Sequence, residues 1–179
     1  ILGDRVYAAT ARGLWSAPVS RQGLSYFGNW ELLAGLPSTG SEYRSIAVAA
    51  NGLMVTRPGE QGNPASRDSL FLVISGQPAT LAASEPAGTI KSLDGDGSRV
   101  LVSLSSSLRI LTPQGTVTRE ITGYGWGGAS PACALTTGQD LWIADASVGL
   151  VSTINYTEFR NHTIEGPYTA NVADIVFSG

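Results

Sequence analysis

One short pattern recurs four times along this chain, and it limits the possible folds more than any other feature. Each copy is a turn, a strand of alternating apolar residues, a small polar break and a second apolar strand. The copies begin at Gly3-Asp4-Arg5-Val6-Tyr7-Ala8, leading to Gly13-Leu14-Trp15, and at Asn51-Gly52-Leu53-Met54-Val55. They continue at Gly97-Ser98-Arg99-Val100-Leu101-Val102, leading to Leu108-Arg109-Ile110, and at Gly138-Gln139-Asp140-Leu141-Trp142-Ile143, leading to Gly149-Leu150-Val151. A further strand is expected before each later turn, at Tyr43 to Ala49, Gly88 to Leu93, Pro131 to Thr136 and Asn171 to Phe177. With Gly3, Asn51, Gly97, Gly138 and Gly179 as equivalent points, the steps are 48, 46, 41 and 41 residues.

A period in the forties built from short period-2 strands and turn residues describes a propeller blade. The strands are rich in Val, Ile, Leu, Tyr and Trp, and Asn51-Gly52 is a strong hairpin signal because both residues tolerate positive φ. No segment carries a capped 3.6-residue stripe, so little helix is expected. The predicted fold is all-β: a β-propeller segment of about four four-stranded antiparallel blades, with repeats at approximately 3–50, 51–96, 97–137 and 138–179. The chain begins after the innermost strand of one blade and stops at the innermost strand of another. A blade completed from both ends would close a four-bladed ring. The favoured reading is a ring of six to eight blades, whose remaining blades would cover the apolar faces at both ends. Polar stretches at Arg57 to Arg67 and Ser16 to Gly28 are expected as loops on the rim or faces.

Composition removes several classes of function. The formal net charge is -3 and only 14% of residues are charged, so nucleic-acid binding is disfavoured. Lys91 is the only lysine among eleven basic residues, so an anionic ligand would meet arginine, which grips carboxylate or phosphate bidentately. Cys133 is the single cysteine and reads as a small core residue, with no disulfide available within the chain. No run of 18 apolar residues is present, hence no membrane span is expected. The first residue is Ile1, which is consistent with a removed signal peptide or an internal segment.

Leu141-Trp142-Ile143-Ala144-Asp145 followed by Gly149-Leu150 resembles the signature of two-component-regulator-type propeller repeats. Val6-Tyr7-Ala8-Ala9-Thr10 with Gly13-Leu14-Trp15 is a second good match. Arg99 to Ser103 with Leu108-Arg109-Ile110 and Leu53-Met54-Val55-Thr56 are degraded copies. Such repeats form the sensor regions of hybrid histidine kinases and the propellers of PorZ-like proteins, cell-surface components of the type IX secretion system. Without kinase, linker or transmembrane sequence, the chain resembles the PorZ-like propellers more closely. That resemblance implies a non-enzymatic protein on the outer face of the outer membrane, or in the periplasm. Its implied partners are the other blades of the ring, proteins of a secretion complex, and an anionic glycan such as lipopolysaccharide. It carries no functional-residue motif, and no cofactor is expected.

His162 is the only histidine, which excludes His₂ and His₃ metal sites; it reads as a solvated surface residue. No nucleophile elbow is present, and no carboxylate pair stands in a context that would separate two pKa values. Asp94, Asp96 and Ser98 alternate as oxygen ligands do in calcium loops, but the distal glutamate is missing and a plain hairpin turn is the favoured reading. In Gly123-Tyr124-Gly125-Trp126-Gly127-Gly128, glycines flank two aromatics, which makes Tyr124 and Trp126 candidates for display and stacking on sugars or partner side chains; inward packing between blades is the commoner arrangement and the favoured reading. Trp15 and Trp142 read as core and Trp30 as outer-strand packing. Asp68-Ser69-Leu70 resembles a bacterial O-glycosylation sequon, making Ser69 a candidate; the Asn155 and Asn161 sequons mean little in a bacterial protein. Three functions follow in order of preference: an interaction scaffold of the type IX secretion system, an oligosaccharide-sensing kinase ectodomain, and a glycan-active propeller enzyme.

Overall fold

The computed structural model describes residues 1–37, 40–50, 52–60, 63, 66–75, 77–84 and 89–162. Among them the chain is all-β, and its one helical turn is the 3₁₀ segment Phe27–Asn29. The strands are β1 (Arg5–Thr10), β2 (Gly13–Pro18), β3 (Glu31–Leu32), β4 (Ile46–Ala49), β5 (Gly52–Arg57), β6 (Ser69–Ile74), β7 (Thr80–Ser84) and β8 (Ser92–Gly97). They continue as β9 (Val100–Ser103), β10 (Leu108–Leu111), β11 (Val117–Ile121), β12 (Pro131–Thr137), β13 (Asp140–Asp145), β14 (Gly149–Thr153) and β15 (Arg160–His162).

Consecutive strands pair antiparallel into blades: β1-β2-β3, β4-β5-β6-β7, β8-β9-β10-β11 and β12-β13-β14-β15. The second and third blades are joined edge to edge, because the innermost strands β4 and β8 run parallel with Val48 opposite Asp96 and Ala49 opposite Gly97. Up-and-down sheets that meet through parallel inner strands are β-propeller architecture.

The alternating sequence places one face of each blade against the next. Leu14, Tyr43, Leu53, Val55, Phe71 and Val73 fill the space between the first two blades. Met54, Leu70, Val100, Val102 and Leu111 do so between the second and third. Leu101, Leu108, Ile110, Leu141, Ile143 and Val151 pack between the third and fourth. Tyr7, Met54, Leu101 and Trp142 hold one position of the repeat; the first three join the core shared with the following blade. Trp142 is only half-buried and lies against His162 of its own sheet, ring centroids 4.8 Å apart. Trp15 is half-buried as well, meeting Phe27 edge-on at 4.5 Å, so neither tryptophan is the enclosed core residue expected.

Two predicted inner strands shift. β4 starts at Ile46 rather than Tyr43, whose ring is buried in the first inter-blade core. β8 spans Ser92–Gly97 instead of 88–93, because Asp68 Oδ2 captures the Ile90 N–H and pairing with β9 begins only afterwards. Asp94, Gly95 and Asp96 are poor strand formers, yet β4 on one side and β9 on the other impose the extended form. The strand expected at 171–177 lies outside the described residues.

Candidate functional site

The loop joining β11 to β12 carries Trp126, and its backbone is a hydrogen-bonded turn. Tyr124 N–H donates to Gly127 O at 3.0 Å, Ala129 N–H donates to Thr122 O at 2.9 Å, and Gly123 bridges Gly128. Gly125 has φ +91, the left-handed value needed at the second position of this turn, and a Cβ on Gly123 would stand 2.7 Å from Gly127 O. The glycines therefore build a fixed platform.

Below the platform Tyr124 is 2% exposed, and its hydroxyl donates to Asp145 Oδ2 at 2.7 Å. Asp145, fully buried at the end of β13, also accepts Ser130 N–H at 2.5 Å, Ser147 N–H at 2.8 Å and Val148 N–H at 3.2 Å. Burial, with the adjacent carboxylate, pushes the Tyr124 phenol well above the ordinary tyrosine range, so it stays a donor. The Tyr124 ring packs edge-on against Phe159 at 5.3 Å and lies tilted 6.0 Å from Trp126. Trp126 remains 49% exposed. The two aromatics divide between the two readings: Tyr124 packs inward as the buried post, whereas Trp126 faces solvent above it. Asp145 appeared in the sequence only as part of the repeat signature, and its role as clamp rests on an inward-turned tyrosine 21 residues earlier.

Asp94, Asp96 and Ser98 do not converge as calcium ligands. Asp96 Oδ1 accepts Ser98 N–H, Ser98 Oγ–H and Arg99 N–H at 2.7–3.0 Å, while Oδ2 accepts Arg99 Nε–H at 2.9 Å and Thr136 Oγ1–H at 3.2 Å. Burial opposes ionisation of Asp96, but the bonds from Ser98 and Arg99 outweigh it and hold the carboxyl well below the usual range. Asp94 sits within β8 rather than on a turn, and burial raises its pKa, so the ionisations of this carboxylate pair are pushed apart, contrary to the expectation from the sequence. The turn itself falls at Gly97-Ser98-Arg99. Among the described residues no group of three or more His, Cys, Asp or Glu is placed to hold a metal ion. Arg99 also donates to the Tyr156 hydroxyl and, at 3.1 Å, to Gly138 O, clasping the third blade to the fourth.

Ser69 opens β6 and is half-buried, and the neighbouring Asp68 is buried with its carboxylate committed to Gly59 and Ile90 N–H groups, each at 2.8 Å. The expected glycosylation border is therefore ordered strand. His162 is also less solvated than expected: it shares a 2.7 Å hydrogen bond with Ser152 Oγ and its ring lies tilted against Trp142. No helix of the described residues is long and apolar enough to cross a membrane.

The blade architecture defines a β-propeller. The WD40 β-propeller domain of Doa1 superposes with a TM-score of 0.63 at 12% identity, covering 95% of this chain and 54% of that one. A chain of a nidogen/laminin complex gives 0.58 at 13% identity, covering 89% and 59%. PorZ from Porphyromonas gingivalis, at 11% identity over 96% of this chain and 30% of that one, reaches a TM-score of 0.39. The chain thus spans about half the length of the first two propeller chains. No protein-family profile matches it, and no curated protein does.

Proposed function

We propose that this chain is part of a non-enzymatic β-propeller scaffold of six to eight blades that binds protein partners through the β11–β12 loop. In the finer form of this reading it serves the type IX secretion system on the outer face of the outer membrane, or in the periplasm, and also contacts anionic lipopolysaccharide. The observation that carries the scaffold reading is Trp126: a half-exposed indole on a glycine-built turn that is anchored from beneath by Tyr124 and Asp145. Rigid aromatic anchors of this kind dominate binding energy at interfaces because little side-chain entropy is lost on docking. The secretion assignment is supported by the Leu141–Asp145 and Val6–Thr10 repeat signatures and by nothing in the superpositions. The same indole also suits stacking on a sugar ring, which favours an oligosaccharide-sensing kinase ectodomain as the second reading.

The test is affinity purification of the full-length protein from its native host, carrying either wild-type Trp126 or Trp126→Ala. Loss of co-purifying secretion-system proteins in the variant, with near-ultraviolet circular dichroism unchanged, supports the scaffold. Unchanged partners overturn the role of Trp126. A downstream membrane span with a kinase in the same gene would replace the secretion reading with the sensor.

A further inference from the structure

A cleft of about 530 Å³ opens between the first and second blades, away from Trp126. Its size falls within the roughly 300–1,000 Å³ of small-ligand sites. Arg5, Ser16 and Glu31 line it from the first blade and Gln77 from the second, while Leu2 and Tyr7 are among its apolar lining. The Arg5 guanidinium is held by a fixed partner, because Nη2 and Nε donate at 3.0 and 3.3 Å to Oγ of the buried Ser16. Nη2 also donates to Glu31 Oε2 at 2.7 Å, and Nη1 has no partner among the described residues. The Arg5 side chain is 29% exposed and the Glu31 side chain 62%, on a strand of two residues.

An ion pair that exposed on one side is cheap to exchange, since the carboxylate that leaves is returned to water. A carboxylate entering the cleft would meet the planar guanidinium fork bidentately, through Nη1 and Nη2, with Ser16 keeping the fork in place. We infer that the cleft binds a monocarboxylate carrying an adjacent apolar group, and that Glu31 occupies its place on Arg5 when no ligand is bound. The ligand's apolar group lies on the Tyr7 and Leu2 surface, and Gln77 offers an amide to a neighbouring peptide group. An N-acylated apolar amino acid has this chemistry, whether free or as the last residue of a peptide.

Calorimetric titration of the protein with N-acetyl-leucine, N-acetyl-leucinamide and a tetrapeptide ending in leucine tests the inference. The two carboxylates should bind and the amide should bind at least tenfold more weakly. Glu31→Gln, which removes the internal competitor, should tighten carboxylate binding by up to about fivefold, the ratio that corresponds to about 1 kcal/mol for an exposed ion pair. Arg5→Gln should abolish it. A tetrapeptide that binds more tightly than N-acetyl-leucine identifies a chain terminus as the source, and the reverse order identifies a free amino-acid derivative. Either order supports the site. Equal binding of the amide, no binding of either carboxylate, or unchanged or weaker binding by Glu31→Gln overturns it, and these readings hold even if Arg5→Gln fails to fold.

Discussion

The Tyr124 hydroxyl donates to Asp145 Oδ2 at 2.7 Å, tying the loop that leaves the third blade to the β13–β14 turn of the fourth. Both partners are buried and the acceptor is a carboxylate, the class of hydrogen bond with the larger net worth. Tyr124→Phe keeps the ring on Phe159 and removes only this bond. It should lower unfolding stability by about 1.5–3 kcal/mol, read as a lower urea midpoint at unchanged slope. An unchanged midpoint would mean that the three backbone N–H groups satisfy Asp145 by themselves.

Trp126→Ala should leave stability within about 0.5 kcal/mol of wild type, because the indole is half-exposed and the turn is held by backbone bonds. The same substitution should lose partner binding, at a cost of about 2 kcal/mol or more if the indole is an interface anchor. A large drop in melting temperature would instead make Trp126 a packing residue.

The two aspartates of β8 are predicted to respond to pH in opposite directions. The Asp96 carboxyl is depressed below its ordinary 3.8 on folding, so its contribution is present above about pH 3.8 and is lost as pH falls toward the folded value. Asp96→Asn should therefore lower the melting temperature at pH 7, with the difference from wild type shrinking in acid. Burial raises Asp94, whose ionisation opposes folding; stability linked to it is full below about 3.8 and falls as pH rises through the raised value. Asp94→Asn keeps an acceptor for the Gly95 and Thr136 N–H groups and should raise the melting temperature at pH 7. Melting curves at pH 3 and pH 7 decide both, and equal shifts at the two pH values would exclude these linkages.

The repeat was readable because the second and third strands of each blade carry their own signal: alternation, β-branched residues and a turn glycine. Val6–Ala8, Leu53–Val55, Val100–Val102 and Leu141–Ile143 could be aligned without a structure, and all fall in strands. The innermost strands were harder, since what holds β8 is contact with β4 and β9 rather than its own residues. The site divides in the same way. Glycines around Tyr124 and Trp126 pointed to an exceptional loop, but which ring turned inward depended on Asp145. The Arg5–Glu31 pair was not legible at all, because 26 residues separate its members and only the short β3 pairing brings them together.

Gly95 and Gly97 lie two residues apart and should fail for different reasons. A Cβ on Gly95 would stand 2.4 Å from Val48 O, so Gly95→Ala must push β4 away from β8 where the second and third blades meet. Neither neighbour can yield by rotating a side chain, since the obstacle is backbone. A loss of about 3 kcal/mol or more is expected. A Cβ on Gly97 meets nothing within 4 Å, but the residue has φ +87, and Gly97→Ala should cost only about 1–2 kcal/mol through backbone strain. Gly97→Asn should recover part of that loss, because asparagine tolerates positive φ, whereas Gly95→Asn should be as harmful as alanine. Chemical denaturation of the four variants separates the causes. If asparagine rescued position 95, the parallel joint between β4 and β8 would not be the close contact the structure shows.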